Sequence, residues 1–357
     1  MKVFTGFEGL PRFRRETVVA VGNFDGLHLG HRRILSRVAA LSRKKGLRSL
    51  VLTFFPHPAR ALAGKAVPLI QTLDQRLDGF RRAGIDGVLV VPLERELFEL
   101  SGAEFSERLL AEALRARAVV VGANFRFGRG RRCGAKDLAD LGRVLGFAVL
   151  AVRPVVVDGQ TVSSSLIRRF LARGDVVTAG GLLGEPYEIE GRVVPGHSRG
   201  RDLGFPTANL LTTSEILPPG VFLTLASVGR RSYPSLTNIG VRPTFGDNPP
   251  GVETHLLDFK GDLYGRIVRL RFVGKIRAER RFATPAALVR QVSKDLRSAR
   301  AAFLDIPGRM MHVLDTFDTT HPVFLGGWCS GSTLSVPRVS DRGVEWVDFR
   351  RRSPGRA

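Results

Sequence analysis

The first 180 residues alternate short apolar runs with amphipathic stretches, and this alternation limits the folds open to the chain. TVVAV (17–21), LRSLVLTFF (47–55), GVLVVP (87–92), AVVVG (118–122) and FAVLAVRPV (147–155) are dominated by apolar residues, many of them β-branched. Strands of that kind need cover on both faces. Between them, Ile34, Leu35, Val38, Ala39 and Ser42 share one helical face, with Arg32, Arg33, Arg37 and Arg43 turned to water. Leu73, Leu77 and Phe80 mark a second helix that stops at Gly84. Ser101 and Glu104 have the spacing of a capping box and open a third, with Phe105, Leu109 and Ala113 inside. A fourth runs through Leu138, Leu141 and Leu145 to Gly146. Strands alternating with helices predict a parallel sheet covered on both faces, a Rossmann-like α/β domain.

Past residue 185 the rhythm changes. YEIEGRVV, VFLTLASV, VETHLLDF and IVRLRFV are strand-like, and the segments between them are rich in Gly, Pro and Asn. Without intervening helices, this punctuation predicts a small antiparallel barrel. Leu288, Val292, Leu296, Ala299 and Phe303 then repeat at helical spacing and close the region. The expected organisation is an α/β domain over 1–184, a barrel with its closing helix over 185–307, and a mostly disordered extension over 308–357.

The 357 residues are 43% hydrophobic and 25% charged, which suits two globular domains with sizeable cores. No window is apolar for long enough to span a membrane, and MKVFTGFEGLPRFRRE has no signal-peptide core, so a cytoplasmic location is expected. The formal charge of +22 is spread along the chain and carried mainly by arginine. It suits small polyanions such as nucleotides, and a nucleic-acid partner is not expected. Cys133 and Cys329 form neither a disulfide framework nor a zinc site. Homo-oligomerisation stays open.

The chemistry concentrates in VGNFDGLHLGH (21–31), between the first strand and the first helix. Gly22 and Gly26 permit tight turns and close approach of a phosphate. The helix starting near Leu29 aims free N–H groups and its positive dipole end at an anion. His28 and His31 share one side of that first turn and can donate hydrogen bonds to phosphoryl oxygens. The alternatives are a zinc pair, or one structural and one exposed histidine. Zinc would need further ligands at metal spacing, and none is obvious.

G-x-F-D-G-x-H-x-G-H, present as GNFDGLHLGH (22–31), resembles the signature of the HxGH nucleotidyltransferases. The subtype is similar to the bacterial bifunctional riboflavin kinase/FAD synthetases. TFFPHP (53–58), VGANFRFGRGR (121–131) and VSSSLIRRFLARGD (162–175) follow in family order. So do LLGEPYEIEGRVV (182–194), GRDLGFPTANL (200–210), LTNIGVRPTFG (236–246) and VETHLLDFKGDLYG (252–265). The resemblance spans about residues 15 to 305. It implies ATP, riboflavin and FMN as substrates, FMN and FAD as products, and Mg²⁺ with ATP. The runner-up is a single-activity FAD synthetase with a structural barrel.

In the first domain Gly22, Asn23, Phe24, Asp25 and Gly26 are expected at the nucleotide phosphates. Asn124 and Phe125 follow a strand, where an amide and an aromatic ring can meet a flavin. Ser163, Ser164 and Ser165 precede a helix, where hydroxyls cap or hold phosphate, and Arg168 lies one turn inside. In the second domain Gly196, Arg199, Gly200, Arg201 and Gly204 form a cationic glycine loop suited to phosphates. Thr207 and Asn209, two apart on a strand, are hard oxygen ligands suited to Mg²⁺. The resemblance gives Glu253 the role of general base on the ribityl 5′-hydroxyl. Pro195, Phe55 and Ser165 depart from the family pattern, as does the long tail.

Overall fold

The computed structural model describes residues 1–6, 15–56, 67–92, 99–196, 204–240, 250–304, 335–340 and 343–348. The chain divides into two compact units, Met1–Ile167 and Arg168–Ala357.

The first unit is built on β1 (Lys2–Thr5), β2 (Thr17–Val21), β3 (Arg48–Phe55), β4 (Gly87–Pro92), β5 (Ala116–Gly122) and β8 (Ala148–Val152). Two short ribbons complete its strands: β6 (Arg126–Phe127) with β7 (Cys133–Gly134), and β9 (Val156–Val157) with β10 (Gln160–Thr161). The main sheet is parallel, in the order β1-β4-β3-β2-β5-β8. Alternate residues of each strand supply two separate cores. Val19, Val21, Leu50, Leu52, Val119 and Val121 face one side. Val18, Ala20, Val51, Val88, Ala118 and Val120 face the other. Each such valine or leucine contributes roughly 1.5–3 kcal/mol when fully buried.

Helices α1 (Leu29–Lys45) and α2 (Leu73–Arg82) cover the second face through Ile34, Leu35, Val38 and Phe80. On the first face, α3 starts as a turn over Gly102–Glu104 and continues as a π-helix over Phe105–Ala113, followed by α4 (Ala135–Leu145). Ser101 and Glu104 make the expected reciprocal cap, and Phe105, Leu109 and Ala113 are buried. The π-helical winding was not expected, because apolar spacing does not distinguish it from an α-helix. Strand β1 was also missed; KVFT is too short and too exposed to show a pattern.

The second unit takes up α5 (Ser164–Ala172) from its fifth residue, then α6 (Val176–Leu183). This division places α6 with the barrel, while the expected boundary lies at 184/185. The reason is α6, which buries Val176, Ala179, Leu182 and Leu183 and lies against a barrel strand. The barrel is closed and antiparallel. It comprises β11 (Glu188–Val194), β12 (Ala208–Thr212), β13 (Gly220–Val228), β14 (Arg231–Gly240), β15 (Gly251–Leu256) and β16 (Ile267–Arg277). Their order around it is β11-β12-β15-β14-β13-β16. Closure removes the exposed edges an open sheet would have.

Helix α7 (Pro285–Leu304) packs its Leu296, Ala299, Ala302 and Phe303 on Val221, Leu223, Leu225 and Val273. Within the extension expected to be disordered, β17 (Ser335–Ser340) and β18 (Gly343–Asp348) pair as a hairpin, and β17 runs beside β16. Val336, Val339, Val344, Trp346 and Val347 are residue types that favour strands.

One buried ion pair joins α7 to the barrel. Asp295, 2% exposed, accepts Arg277 Nε at 2.9 Å and Gln291 Nε2 at 2.7 Å. Removing one partner of a buried pair strands the other charge. Asp295→Ala should therefore lower the unfolding free energy of the barrel by about 3–5 kcal/mol in urea titration. A loss under about 1 kcal/mol would mean the pair is solvated.

Candidate active sites

The order of the main sheet sets where the first site lies. From β2 the chain moves outward to β3 and β4, and later returns to β5 on the other side of β2. The carboxyl end of β2 is therefore the switch point at which open α/β sheets bind ligands. GNFDGLHLGH emerges there. Gly26 has φ 87°, and Phe24 and Leu27 also adopt left-handed backbone, at φ 53° and 41°. Such conformations in non-glycine residues cost on the order of 1–3 kcal/mol and persist only where the surroundings impose them.

His28 is the N-cap of α1, a position usually held by Ser, Thr, Asp or Asn. Its Nδ1 accepts the His31 backbone N–H at 3.4 Å. That acceptor role leaves the proton on Nε2, so Nε2–H is the ring's donor. The His28 and His31 rings stack at 3.7 Å. Gly30 permits this, since a Cβ there would stand 3.1 Å from His28 Cε1. Burial pushes the His28 imidazole down to about 4. Burial, with the nearby His28 and Arg76, holds His31 well below the usual imidazole range. Both rings are neutral near pH 7. The first turn of α1 carries no acidic residue, so its positive end is not offset.

Two residues expected at the phosphates have other tasks. The Asp25 carboxylate is 1% exposed and accepts the backbone N–H groups of Ile70 and Gln71 at 3.0 and 3.2 Å. A buried anion so engaged would repel phosphate rather than bind it. Phe24 is fully buried, with its ring edge-on to His31 and Phe80. Gly22 supports that ring, since a Cβ there would lie 3.3 Å from it.

The three serines divide their work. Ser163 Oγ accepts the Leu166 N–H as a cap, Ser164 Oγ donates to the Asp25 carbonyl at 2.8 Å, and Ser165 is exposed. Arg168 stands partly exposed in the first turns of α5. Asn124 is exposed just past β5, and Phe125 stacks on Phe127 at 5.4 Å.

In the barrel, Asn209 on β12 stands opposite Glu253 on β15, and Glu253 stands opposite Asn238 on β14. Residues directly opposite share a face, so these three form one row. The next residue, Thr254, points inward and receives a hydrogen bond from Thr237 Oγ1 at 2.9 Å. Asn209 is buried, Glu253 half-buried and Thr207 exposed. Gly196 lies against Asn209; a Cβ there would come within 2.1 Å of the amide nitrogen. That contact seats the start of the glycine loop on the row, and Gly204, at φ 82°, ends its described part. Arg199, Gly200 and Arg201 lie outside the described residues, as do His57 and Pro58 of TFFPHP. Asn238 was not singled out within LTNIGVRPTFG, and Gly196 was singled out as part of a phosphate-suited loop and not for this packing.

The α/β sheet with its histidine-capped helix start, joined to a closed six-stranded barrel, defines a two-domain nucleotide-handling class. The FAD synthetase family model matches residues 10–166, and the riboflavin kinase model matches residues 183–303. The bifunctional riboflavin kinase/FMN adenylyltransferase of Pseudomonas fluorescens is 38% identical over 84% of this chain and 97% of its own. The protein of that name from Escherichia coli K12 is 36% identical over 85% and 98%. A solved structure described as a macrolide-efflux protein from Streptococcus pneumoniae superposes with a TM-score of 0.77 at 28% identity. It covers 83% of this chain and 99% of that one. The chain belongs to the bifunctional riboflavin kinase/FMN adenylyltransferase family. Among the described residues no helix is long and apolar enough to cross a membrane.

The buried histidine gives a pH signature. Its folded-state value lies below the ~6.5 of an unfolded imidazole, so acid favours the unfolded chain. The His28 contribution should be constant above about pH 6.5, fall by roughly 3 kcal/mol as pH drops toward 4, and then level off. Histidine-ring NMR should show His28 titrating near 4. His28→Asn, which keeps a capping side chain, should flatten that part of the stability profile. Titration near 6.5 would contradict the buried geometry.

Proposed function

We infer that this chain carries out two consecutive reactions, phosphorylating riboflavin to FMN and adenylylating FMN to FAD, each with ATP. The observation that carries the reading is that each domain keeps its own polar cluster. One is the histidine-capped helix start at the switch point of the sheet. The other is the Asn209–Glu253–Asn238 row against Gly196 on the barrel. A barrel retained only for structure would not need that row, so the single-activity alternative is not favoured.

In the adenylyl transfer, an FMN phosphate oxygen attacks the α-phosphorus of ATP. The bond to the terminal diphosphate breaks and pyrophosphate leaves. The attacking oxygen is already ionised, so no strong base is required, and positioning with charge stabilisation supplies most of the rate. Neutral His28 donates through Nε2–H to a phosphoryl oxygen, beside the amides at the start of α1. His31 lies at the same turn. Ser165 and Arg168 are proposed as further phosphate contacts, and Asn124 with Phe125 as flavin contacts.

In the kinase reaction, Glu253 takes the proton of the ribityl 5′-hydroxyl as that oxygen attacks the γ-phosphorus of ATP, releasing ADP. The oxygens of Thr207 and Asn209 suit Mg²⁺, and they would hold the ion that neutralises the ATP phosphates. Gly196, seated against Asn209, is proposed at those phosphates with Gly204. A cytoplasmic location follows from ATP being the co-substrate of both steps.

Incubation with riboflavin, ATP and Mg²⁺, followed by chromatography, should yield FMN and then FAD. Glu253→Gln should slow riboflavin phosphorylation by about 10²-fold or more and leave FAD formation from supplied FMN intact. His28→Ala should do the reverse, with a loss on the order of 10²- to 10³-fold in FAD formation. Equal loss of both activities in either variant would indicate a structural role.

A further inference from the structure

Beside the histidine turn lies a charged side chain to which the chemistry so far gives no task. Arg76, in the first turns of α2, is 1% exposed. Its Nη1 donates to the Asn23 carbonyl at 2.9 Å, and its guanidinium lies 5.6 Å from the centre of the Phe55 ring. Its other donors, Nε and Nη2, are buried and make no hydrogen bond. Asp25 attracts it, but that carboxylate already serves the backbone of Ile70 and Gln71. Close by, His31 Nδ1 is also buried without a partner.

Folding does not account for this arrangement. A buried guanidinium with two idle donors destabilises the unit, and a Met or Leu would fill the same space without that cost. A site that must receive an anion does account for it. Nε and Nη2 form one edge of the guanidinium and match two oxygens of a phosphoryl group. The Asn23 contact ties the guanidinium to the backbone of the glycine turn.

We propose that Arg76 is a catalytic residue of the adenylyl-transfer site, its Nε–Nη2 edge binding the part of the ATP polyphosphate that leaves as pyrophosphate. The proposal rests on the reading of that site as an FMN adenylyltransferase. Arg76 then completes, with the α1 amides and the histidines, a cradle whose donors come from two segments of the unit. Its charge also favours the neutral form of the His31 imidazole.

The reverse reaction isolates the assignment. Pyrophosphate attacks the adenylyl phosphorus of FAD, the bond to the FMN phosphate breaks, and ATP and FMN form; the kinase site takes no part. In the full-length chain, Arg76→Lys keeps the charge and loses the fork. It should raise the KM for pyrophosphate roughly 10- to 100-fold, with the KM for FAD unchanged within about twofold. Arg76→Met should abolish measurable pyrophosphorolysis, yet melt no lower than wild type, because it removes unsatisfied buried donors. Riboflavin phosphorylation should persist in both variants. An unchanged pyrophosphate KM in Arg76→Lys would overturn the proposal, as would equal rises for pyrophosphate and FAD or a lower melting temperature in Arg76→Met. Wild-type protein that makes no FAD in either direction would instead overturn the adenylyltransferase reading itself.

Discussion

The first unit is organised around one buried carboxylate. Asp25 sits in the turn after the central strand, where water cannot solvate its charge. Such a group is stable only when protein donors replace the water. The amides of Ile70 and Gln71 do so, which pins the segment leading into α2. The Asp25 carbonyl accepts Ser164 Oγ, which pins the start of α5. One residue thereby fixes three segments distant in sequence, and each carries part of the candidate site. The strained backbone at Phe24 and Leu27 is held by the same tether.

The barrel solves a different problem by strand alternation. Inward positions carry a hydroxyl chain in which Thr224 meets Ser235 at 2.7 Å and Thr237 at 2.6 Å, and Thr237 reaches Thr254. Each hydroxyl satisfies its neighbour, so burying the chain costs little. The neighbouring outward positions carry Asn209, Glu253 and Asn238. A shift of one residue in the pairing of β12 with β15 would turn Glu253 inward and Thr254 outward. Register, held by the buried faces on either side, is what places a carboxylate and two amides in one row.

Several features were legible before any coordinates. The face of α1, the capping box of α3, the ends of α2 and α4 at glycine, and the strands of the parallel sheet follow from period and punctuation alone. The histidine turn was legible as a helix start after the first strand. What escaped the sequence has physical reasons. A four-residue edge strand such as β1 has too few positions to show a pattern. Asp25 and Phe24 belong to the same short motif as the histidines, and a linear motif does not distinguish a residue that touches a ligand from one that holds the loop. Arg76 was not singled out, because burial of a charge is invisible until its surroundings are known.

The sequence by itself determined the two fold classes, because the periods of 3.6 and 2.0 and the placement of Gly and Pro are local properties of the chain. It also singled out the Gly- and His-bearing turn where the first strand meets its helix as the candidate site. Only the tertiary structure decided the rest. Strand order puts that turn at the switch point of the sheet, and barrel register sets Glu253 beside Asn209. Burial moves the His28 imidazole down to about 4 and leaves two donors of Arg76 without partners. Each of these depends on contacts between residues far apart along the chain, and desolvation is the sum of all such neighbours.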